Sequence, residues 1–335
     1  MDKGSIMTNQ VDTGLKRVGV FVGREWSWPP AFIDEVNRRT KDTGVIAEYV
    51  SIGGTRMNEP TPYRVIVDRI SHEVPYYRSY LKNAVLQGCK VINDPFMWTS
   101  DDKYFGASLL DKMGITHPKT VVLPNKEYVP GIVHEESLRN LLYPVPWGNI
   151  VEYLGGFPLV LKDAHGGGWK AVHIVHSWDE LFEKYNDSGL LTMILQEFIQ
   201  WDNYGRCMGL GQQHVHVMKY TPRPVYGNNY LPEHDFDPAL VNLMVESTLK
   251  LNRAFGYDMN AVEFAIKDGV PYAIDFMNPA PDMDTHSLGR GHFDWMVKTM
   301  ADVCIGYALE PAAQTRTRYE WGRLAQELDS QGNTK

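Results

Sequence analysis

Cysteine is scarce in this sequence: Cys89, Cys207 and Cys304 are spread over 335 residues. An odd, widely spaced set gives no disulfide framework and no cysteine-ligated zinc site, and it points to a reducing cytoplasm. Positive charge is the minority sign. Lys and Arg number 33 against 41 Asp and Glu, a formal net charge of −8. That balance argues against a nucleic-acid surface, so an anionic ligand needs a local cluster of cations. No apolar run approaches the ~20 residues that a membrane span requires, so no membrane partner is expected. The first fourteen residues lack a signal-peptide apolar core and read as a loose tail. Internal repeats and low-complexity segments are absent. Two nucleotide fingerprints are missing as well. No GxGxxG follows the N-terminal strands, and no GK[ST] closes a glycine-rich loop.

What is present reads as a globular α/β chain, 43% hydrophobic and 22% charged, long enough for two or three subdomains. Residues 17–22 (RVGVFV) form a short apolar run bounded by Gly23, and strands follow at 45–50, 64–68 and 89–92. Helical spacing covers residues 30–40, with Phe32, Ile33 and Val36 inward, and residues 72–87. Alternating strands and helices predict a parallel sheet. The polar strand ends Arg24-Glu25 and Asp68-Arg69 fall at its carboxyl edge, where ligands tend to bind; surface ion pairs explain them equally well. Asn93-Asp94-Pro95 marks a boundary. Asp101-Asp102-Lys103 then opens a helix that Gly114 closes, and residues 124–146 read as a surface excursion.

Residues 158–162 (PLVLK) form a strand that ends in Lys162 and runs into DAHGGGW, before another strand at 171–175. Three consecutive glycines make a tip whose backbone N–H groups can close over phosphates. A mobile turn would look the same, but a lysine fixed at the strand end favours the phosphate reading. Ser177 caps a helix over 178–185, with Glu180 at the reciprocal position. Strands follow at 191–199, 206–212 and 214–220, then a polar loop over 222–232 carrying Arg223. A long amphipathic helix covers 238–255, closed by Gly256, and the last substantial helix covers 293–305. His173 and His176 face opposite sides of a strand. His214 and His216 share a face without further metal ligands, and all four read as surface histidines.

Residues 262–284 (VEFAIKDGVPYAIDFMNPAPDMD) form a β-hairpin that ends in acidic and amide side chains. A two-residue Asp268-Gly269 turn pairs Glu263 with Ile274 and mixes polar and apolar residues on both faces. A three-residue loop from Lys267 to Gly269 pairs Phe264 with Tyr272 and Val262 with Ile274. Glu263 and Asp275 then share the other face, so the longer loop is expected. Two carboxylates on one face suit Mg²⁺, which prefers oxygen ligands together with nucleotide phosphates. Two ordinary acids on a solvated face are the alternative, and the rigid Asn278-Pro279-Ala280-Pro281 turn counts against it. The polar segment 282–292 either borders an acceptor site or is a solvated loop.

The stretches NDPFMWTSDDKYFGASLLDKMGITHPKT, PLVLKDAHGGGWKAVHIV, LQEFI and VEFAIKDGVPYAIDFMNP, in this order, resemble the ATP-grasp superfamily, in particular its carboxylate–amine and carboxylate–thiol ligases such as glutathione synthetase and ribosomal-modification-type enzymes. The resemblance implies an α/β (α+β) fold: an N-terminal parallel α/β pre-ATP-grasp domain over 15–93, then a two-subdomain ATP-grasp fold. Its parts would be a central linker subdomain at 94–156, a lid at 157–200 with the glycine-rich loop, a metal and substrate subdomain at 201–310, and a tail at 311–335. The implied cofactors are ATP and Mg²⁺. Lys103 and Lys162 would contact the phosphates, His165, Gly166, Gly167 and Gly168 would cover them, and Glu197, Phe198 and Ile199 would line the adenine pocket. Asp202 would meet the ribose. Arg206 and Lys219 would face the γ-phosphate and the acyl group, and Glu263, Asp275 and Asn278 would hold the metal.

Two departures stand out. Asp275 and Asn278 are one residue further apart than the family's acid-x-Asn pattern, which on a regular strand turns them to opposite faces. Several peptide-forming members carry Arg two residues before the first acid, where this chain has Ala261; Arg206, Arg223 or Arg290 would have to substitute. The implied activity is an ADP-forming ligase that activates a small carboxylate as an acyl phosphate and joins it to an amine or thiol. A kinase acting on a hydroxyl and a non-catalytic nucleotide-binding protein are the alternatives. Substrates would be small molecules, and a homodimer is left open.

Overall fold

The computed structural model describes residues 14–57, 59–97, 102–168, 170–222, 229–310, 319–324 and 327. They group into two compact units, one drawn from Met1–Pro95 and Asp282–Lys335, the other from Phe96–Pro281. No helix among the described residues is long and apolar enough to cross a membrane.

The first unit is built on a four-stranded parallel sheet in the order β2-β1-β3-β4, from β1 (Lys16–Phe21), β2 (Val45–Tyr49), β3 (Tyr63–Asp68) and β4 (Lys90–Ile92). Helices α1 (Trp28–Arg39) and α2 (Pro75–Leu86) make its crossovers. Trp28, Phe32 and Val36 recur on one face of α1 and are fully buried, the stripe that a helix turns toward a sheet. Helix α9 (Arg290–Leu309) packs on α1, β1 and β3, so it belongs with the first unit rather than with the segment that precedes it in sequence. The polar segment before it also has a structural task here. The Asp284 carboxylate accepts from the backbone N–H groups of Trp26 (2.9 Å), Ser27 (2.9 Å) and Trp28 (3.1 Å), which fixes the start of α1. Burial opposes its charge, but the bonds from Trp26, Trp28 and Ser27 outweigh that and hold its pKa below the usual aspartate value.

The second unit holds two antiparallel sheets. One has the order β5-β8-β6-β7, from β5 (Thr120–Val122), β6 (Leu159–Asp163), β7 (Val172–Val175) and β8 (Met193–Glu197). Leu159, Leu161, Met193 and Leu195 pack there against Val151 and Leu154 from the α5 (Trp147–Tyr153) segment and Leu181 of α6 (Trp178–Asn186). Ser177 caps α6 by accepting from the Glu180 N–H, while Glu180 reaches back to the His176 N–H at 2.7 Å, one residue before the partner of a standard capping box. A short helix, α4 (His134–Ser137), interrupts the expected surface excursion.

The other sheet has the order β10-β9-β11-β12, from β9 (Asn203–Leu210), β10 (His214–Lys219), β11 (Met259–Lys267) and β12 (Val270–Asn278). Its core joins Val262, Phe264 and Ile266 of β11 to Leu251 and Phe255 of α7 (Pro238–Phe255) and to Leu110 of α3 (Lys103–Met113). Helices α3 and α7 both end at a left-handed glycine, Gly114 and Gly256, the conformation that glycine adopts without strain.

The β11–β12 hairpin corrects the sequence reading. Lys267 pairs with Val270, so the turn is the two-residue Asp268-Gly269, with φ of 50° and 76°, as a type I′ turn requires. Phe264 accordingly pairs with Ala273. Regular pairing onward would set Glu263 against Ile274. Two β-bulges intervene instead: Glu263 pairs with Asp275 and Ala261 with Asn278. Each inserts one extra residue into β12, which re-aims the side chains beyond it. Glu263 and Asp275 therefore share a face, as expected, but through the first bulge and not through a longer loop. Ala273, Phe276 and Met277 enter the core where the sequence reading placed Tyr272 and Ile274.

Candidate functional site

A cleft of about 280 Å³ opens in the second unit between its two sheets, lined from β6, β8, β9, β12, the glycine tip and the start of α3. In a chain with an acidic excess it gathers four cations, Lys103, Lys162, Lys170 and Arg206, beside four acids, Asp163, Glu197, Glu263 and Asp275. The local cation cluster that the charge balance demanded is therefore present.

Lys162 ends β6 and is buried, and its ammonium donates to the Ile274 carbonyl of β12 at 3.1 Å. One side chain thus connects both sheets across the cleft. Burial, with Lys103 adding to it and Asp275 and Glu263 opposing, lowers the Lys162 pKa to about 8. Lys103 is the first residue of α3, behind the Asp102 N-cap. Its backbone N–H donates to the Ala164 carbonyl at 3.0 Å, and its ammonium donates to the Gly166 carbonyl. The glycine tip is thereby tied to the helix start. Gly166 lies so close to Asp163 that a Cβ would sit 2.7 Å from its Oδ2, whereas Gly167 and Gly168 are open and exposed. Gly168 has φ of +65°, a conformation that side chains resist. His165 is exposed, donates its N–H to Asp163 at 3.0 Å, and is not among the lining residues.

Glu197, Phe198 and Ile199 line one wall together with Gln196 and Pro118. The Glu197 carboxylate accepts from the Lys119 N–H at 3.2 Å, and its own N–H donates to the Lys119 carbonyl at 2.9 Å. Asp202, expected at the ribose, is not in the lining. Its carboxylate accepts from the Asp268 N–H at 2.9 Å and so braces the hairpin turn, and Trp201 faces the cleft instead.

Glu263 and Arg206 face each other across β11 and β9. Burial raises the Glu263 pKa, and Asp275 adds to that, while Arg206, a bond from Tyr204 and Lys162 oppose it. The Tyr204 hydroxyl donates to Glu263 Oε2. Arg206 Nε lies 3.6 Å from Oε1, an ion pair too long for a hydrogen bond, so this buried Nε has no hydrogen-bond partner. The rest of the guanidinium is well held. Nη1 donates to the Tyr230 hydroxyl at 2.7 Å, and the group lies 5.3 Å from the Tyr220 ring centroid. Burial works against its charge, but Tyr230, Glu263, Tyr220 and Asp275 outweigh that and keep Arg206 protonated. Lys219 does not join it. The register sets Arg206 opposite Met218, so Lys219 falls on the other face, where it pairs with Asp235 at 2.6 Å. Arg223 lies outside the described residues. Arg290 starts α9 in the first unit and pairs with Asp294 at 3.0 Å.

Asp275 and Asn278 line the cleft with Glu263. Two carboxylates and an amide are an all-oxygen donor set that fits Mg²⁺, and the set is incomplete without further oxygens. Among the described residues no three His, Cys, Asp or Glu side chains form a metal cluster of their own. Asp163, Tyr204 and Tyr220 escaped the sequence reading. Tyr204 was detectable, because it stands two residues before Arg206 on the same face of one strand.

No family model matches the chain. Its sequence is 27% identical over 140 residues to mitochondrial pyruvate carboxylase of Rattus norvegicus, 36% of this chain and 12% of that protein. It is 23% identical over 168 residues to the C-terminal section of the carbamoyl phosphate synthase large chain of Methanocaldococcus jannaschii, 46% of this chain and 27% of that one. The chain thus spans under a third of the length of these curated relatives. Solved structures match far more of it. A D-alanine–D-alanine ligase from Bacillus anthracis, complexed with ATP, gives a TM-score of 0.59 at 18% identity, covering 88% of this chain and 97% of that one. A RimK domain ATP-grasp protein from Sphaerobacter thermophilus gives 0.60 at 18%, covering 87% and 100%. The VanG D-Ala:D-Ser ligase from Enterococcus faecalis gives 0.63 at 14%, covering 88% and 100%. At these identities the likeness is one of fold.

Proposed function

With the ATP-grasp fold as premise, we propose that this chain is an ADP-forming ligase that joins a small-molecule carboxylate to an amine or a thiol. The observation that carries the reading is a single cleft in which Lys103, Lys162 and the glycine tip meet Glu263, Asp275, Asn278 and Arg206. Phosphoryl transfer needs positioning and charge neutralisation more than a protein nucleophile. Lys103 and Lys162 hold the phosphates, and Gly166 to Gly168 close over them with backbone N–H groups. Glu197, Phe198 and Ile199 form the adenine wall. Glu263, Asp275 and Asn278 would hold Mg²⁺, which when bound neutralises charge on the phosphates.

A substrate carboxylate oxygen attacks the γ-phosphorus, the bond to the β-phosphate oxygen breaks, and ADP leaves. The amine nitrogen then attacks the acyl carbon, the C–N bond forms, the C–O bond to phosphate breaks, and the nitrogen loses a proton. The oxyanion that forms between these events needs a fixed positive charge. Arg206 supplies it from β9, directly across from Glu263, in place of the arginine that Ala261 does not provide. Lys219 and Asp202 take no part in this scheme.

The test is a screen of small carboxylates paired with amines and thiols for release of ADP and inorganic phosphate, with mass spectrometry of the product. A ligase releases both only when acid and nucleophile are present together. ADP formation with a phosphorylated product and no free phosphate would make the chain a kinase, and would overturn the ligase reading.

A further inference from the structure

The second bulge of β12 lies between the Glu263–Asp275 and Ala261–Asn278 pairs, and one buried side chain bonds to the backbone of both Phe276 and Asn278 across it. Asn260 on β11 is fully buried. Its Oδ1 accepts from the Asn278 N–H at 2.8 Å, and its Nδ2 donates to the Phe276 carbonyl at 2.8 Å. The partners fix the amide's orientation. A flipped amide would set its NH₂ against an N–H and its oxygen against a carbonyl. Nδ2 also donates to Oδ1 of Asn252 on α7 at 2.9 Å. Asn252 is fully buried too, and it reaches this place because Gly209 stands across the ladder from Asn260. A Cβ at Gly209 would lie 2.1 Å from Asn252 Nδ2.

Asparagine is depleted in strand interiors, and a buried amide without partners destabilises a fold. Here the amide spans the bulge that brings Asp275 and Asn278, three residues apart, to one cleft. We infer that Asn260 is a positioning residue: it holds the bulge, and through the bulge it sets Asn278 beside Asp275 and Glu263. Asn252 and Gly209 hold Asn260 in turn. The inference rests on the reading of Asn278 as a Mg²⁺ ligand. Without the Asn260 amide, the Phe276 carbonyl and the Asn278 N–H lose the partner that spans the bulge. Returning β12 to regular register relieves them and turns Asn278 away from the cleft. The pairing of Glu263 with Asp275 precedes that bulge and survives.

The experiment follows thermal unfolding at saturating ATP while Mg²⁺ is titrated, and reads the Mg²⁺ concentration that gives half of the stabilisation. Asn278→Ala and Asn260→Ala should each raise it about 10-fold or more, the range for lost supporting contacts at metal sites. Stabilisation by ATP in EDTA should not change, a readout that general loosening of the fold would move. The double variant should match Asn278→Ala alone, because Asn260 acts through Asn278. If Asn260→Ala fails to fold, Asn252→Ala, which removes only the outer amide, should shift the Mg²⁺ midpoint in the same direction. A normal midpoint in Asn278→Ala removes the ligand reading, and the inference with it. A raised midpoint in Asn278→Ala beside a normal one in Asn260→Ala, or in Asn252→Ala where that variant stands in, or additive shifts in the double variant, overturn the inference alone.

Discussion

A lysine buried at the end of an apolar strand must find negative charge or lose its proton. Lys162 stands between those outcomes, its pKa lowered to about 8 by burial while Asp275 and Glu263 pull the other way. The unfolded chain keeps this proton up to about pH 10.5, the ordinary value. Between about 8 and 10.5 the unfolded state therefore binds more protons, and this group makes the fold more stable as pH rises. Below about 8 the full penalty of burying the charge is present. A bound polyphosphate offsets that penalty, so nucleotide binding at pH 9 should draw in close to one proton. Calorimetric titrations in two buffers of different ionisation enthalpy measure the uptake. Lys162→Arg stays charged throughout and should abolish it; equal uptake by both proteins would mean that Lys162 does not meet the phosphates.

The β11–β12 hairpin shows what the sequence exposes and what it conceals. Its existence and its acids were legible from hydrophobic alternation, a local signal; the shared face of the acids was expected from a three-residue loop, whereas the turn is the two-residue Asp268-Gly269 and a bulge sets the pair. The bulges were not legible, because strand register is not a local signal and the second bulge is spanned by Asn260, whose partners come from β12 and α7. Two errors at the site have the same origin. The β9–β10 register is not a local signal, and it sets Met218 opposite Arg206, which turns Lys219 to the other face. Asp202 lies three residues beyond Ile199 of the cleft wall, yet its carboxylate accepts from the Asp268 N–H. Asp202→Ala should therefore destabilise the fold by about 1 kcal/mol and leave nucleotide affinity unchanged. Urea melts and nucleotide titrations of the same variant separate the two. Unchanged stability with weakened nucleotide binding would return Asp202 to the ribose. Lys103, Lys162 and the ends of α3 and α7 were legible because caps, glycines and strand ends mark positions without knowledge of the fold.

The chain as a whole matches solved ATP-grasp structures over nearly nine-tenths of its length, while its curated relatives share only a segment of theirs. The fold therefore stands on a match over most of the chain, and the proposed chemistry stands on one cleft. Membership of a fold does not by itself give an activity. Because α9 packs with the first unit, the residues that follow β12 in sequence belong to the first unit and do not extend the second. All of the chemistry proposed for this cleft begins with the binding of magnesium nucleotide. The most direct test of that binding is calorimetric titration of the whole chain with a non-hydrolysable ATP analogue at saturating Mg²⁺, beside the Lys162→Ala and Lys170→Ala variants. One site per chain, strongly weakened in Lys162→Ala and little changed in Lys170→Ala, is the predicted result. No binding to the unaltered chain, or equal binding by all three proteins, would contradict it.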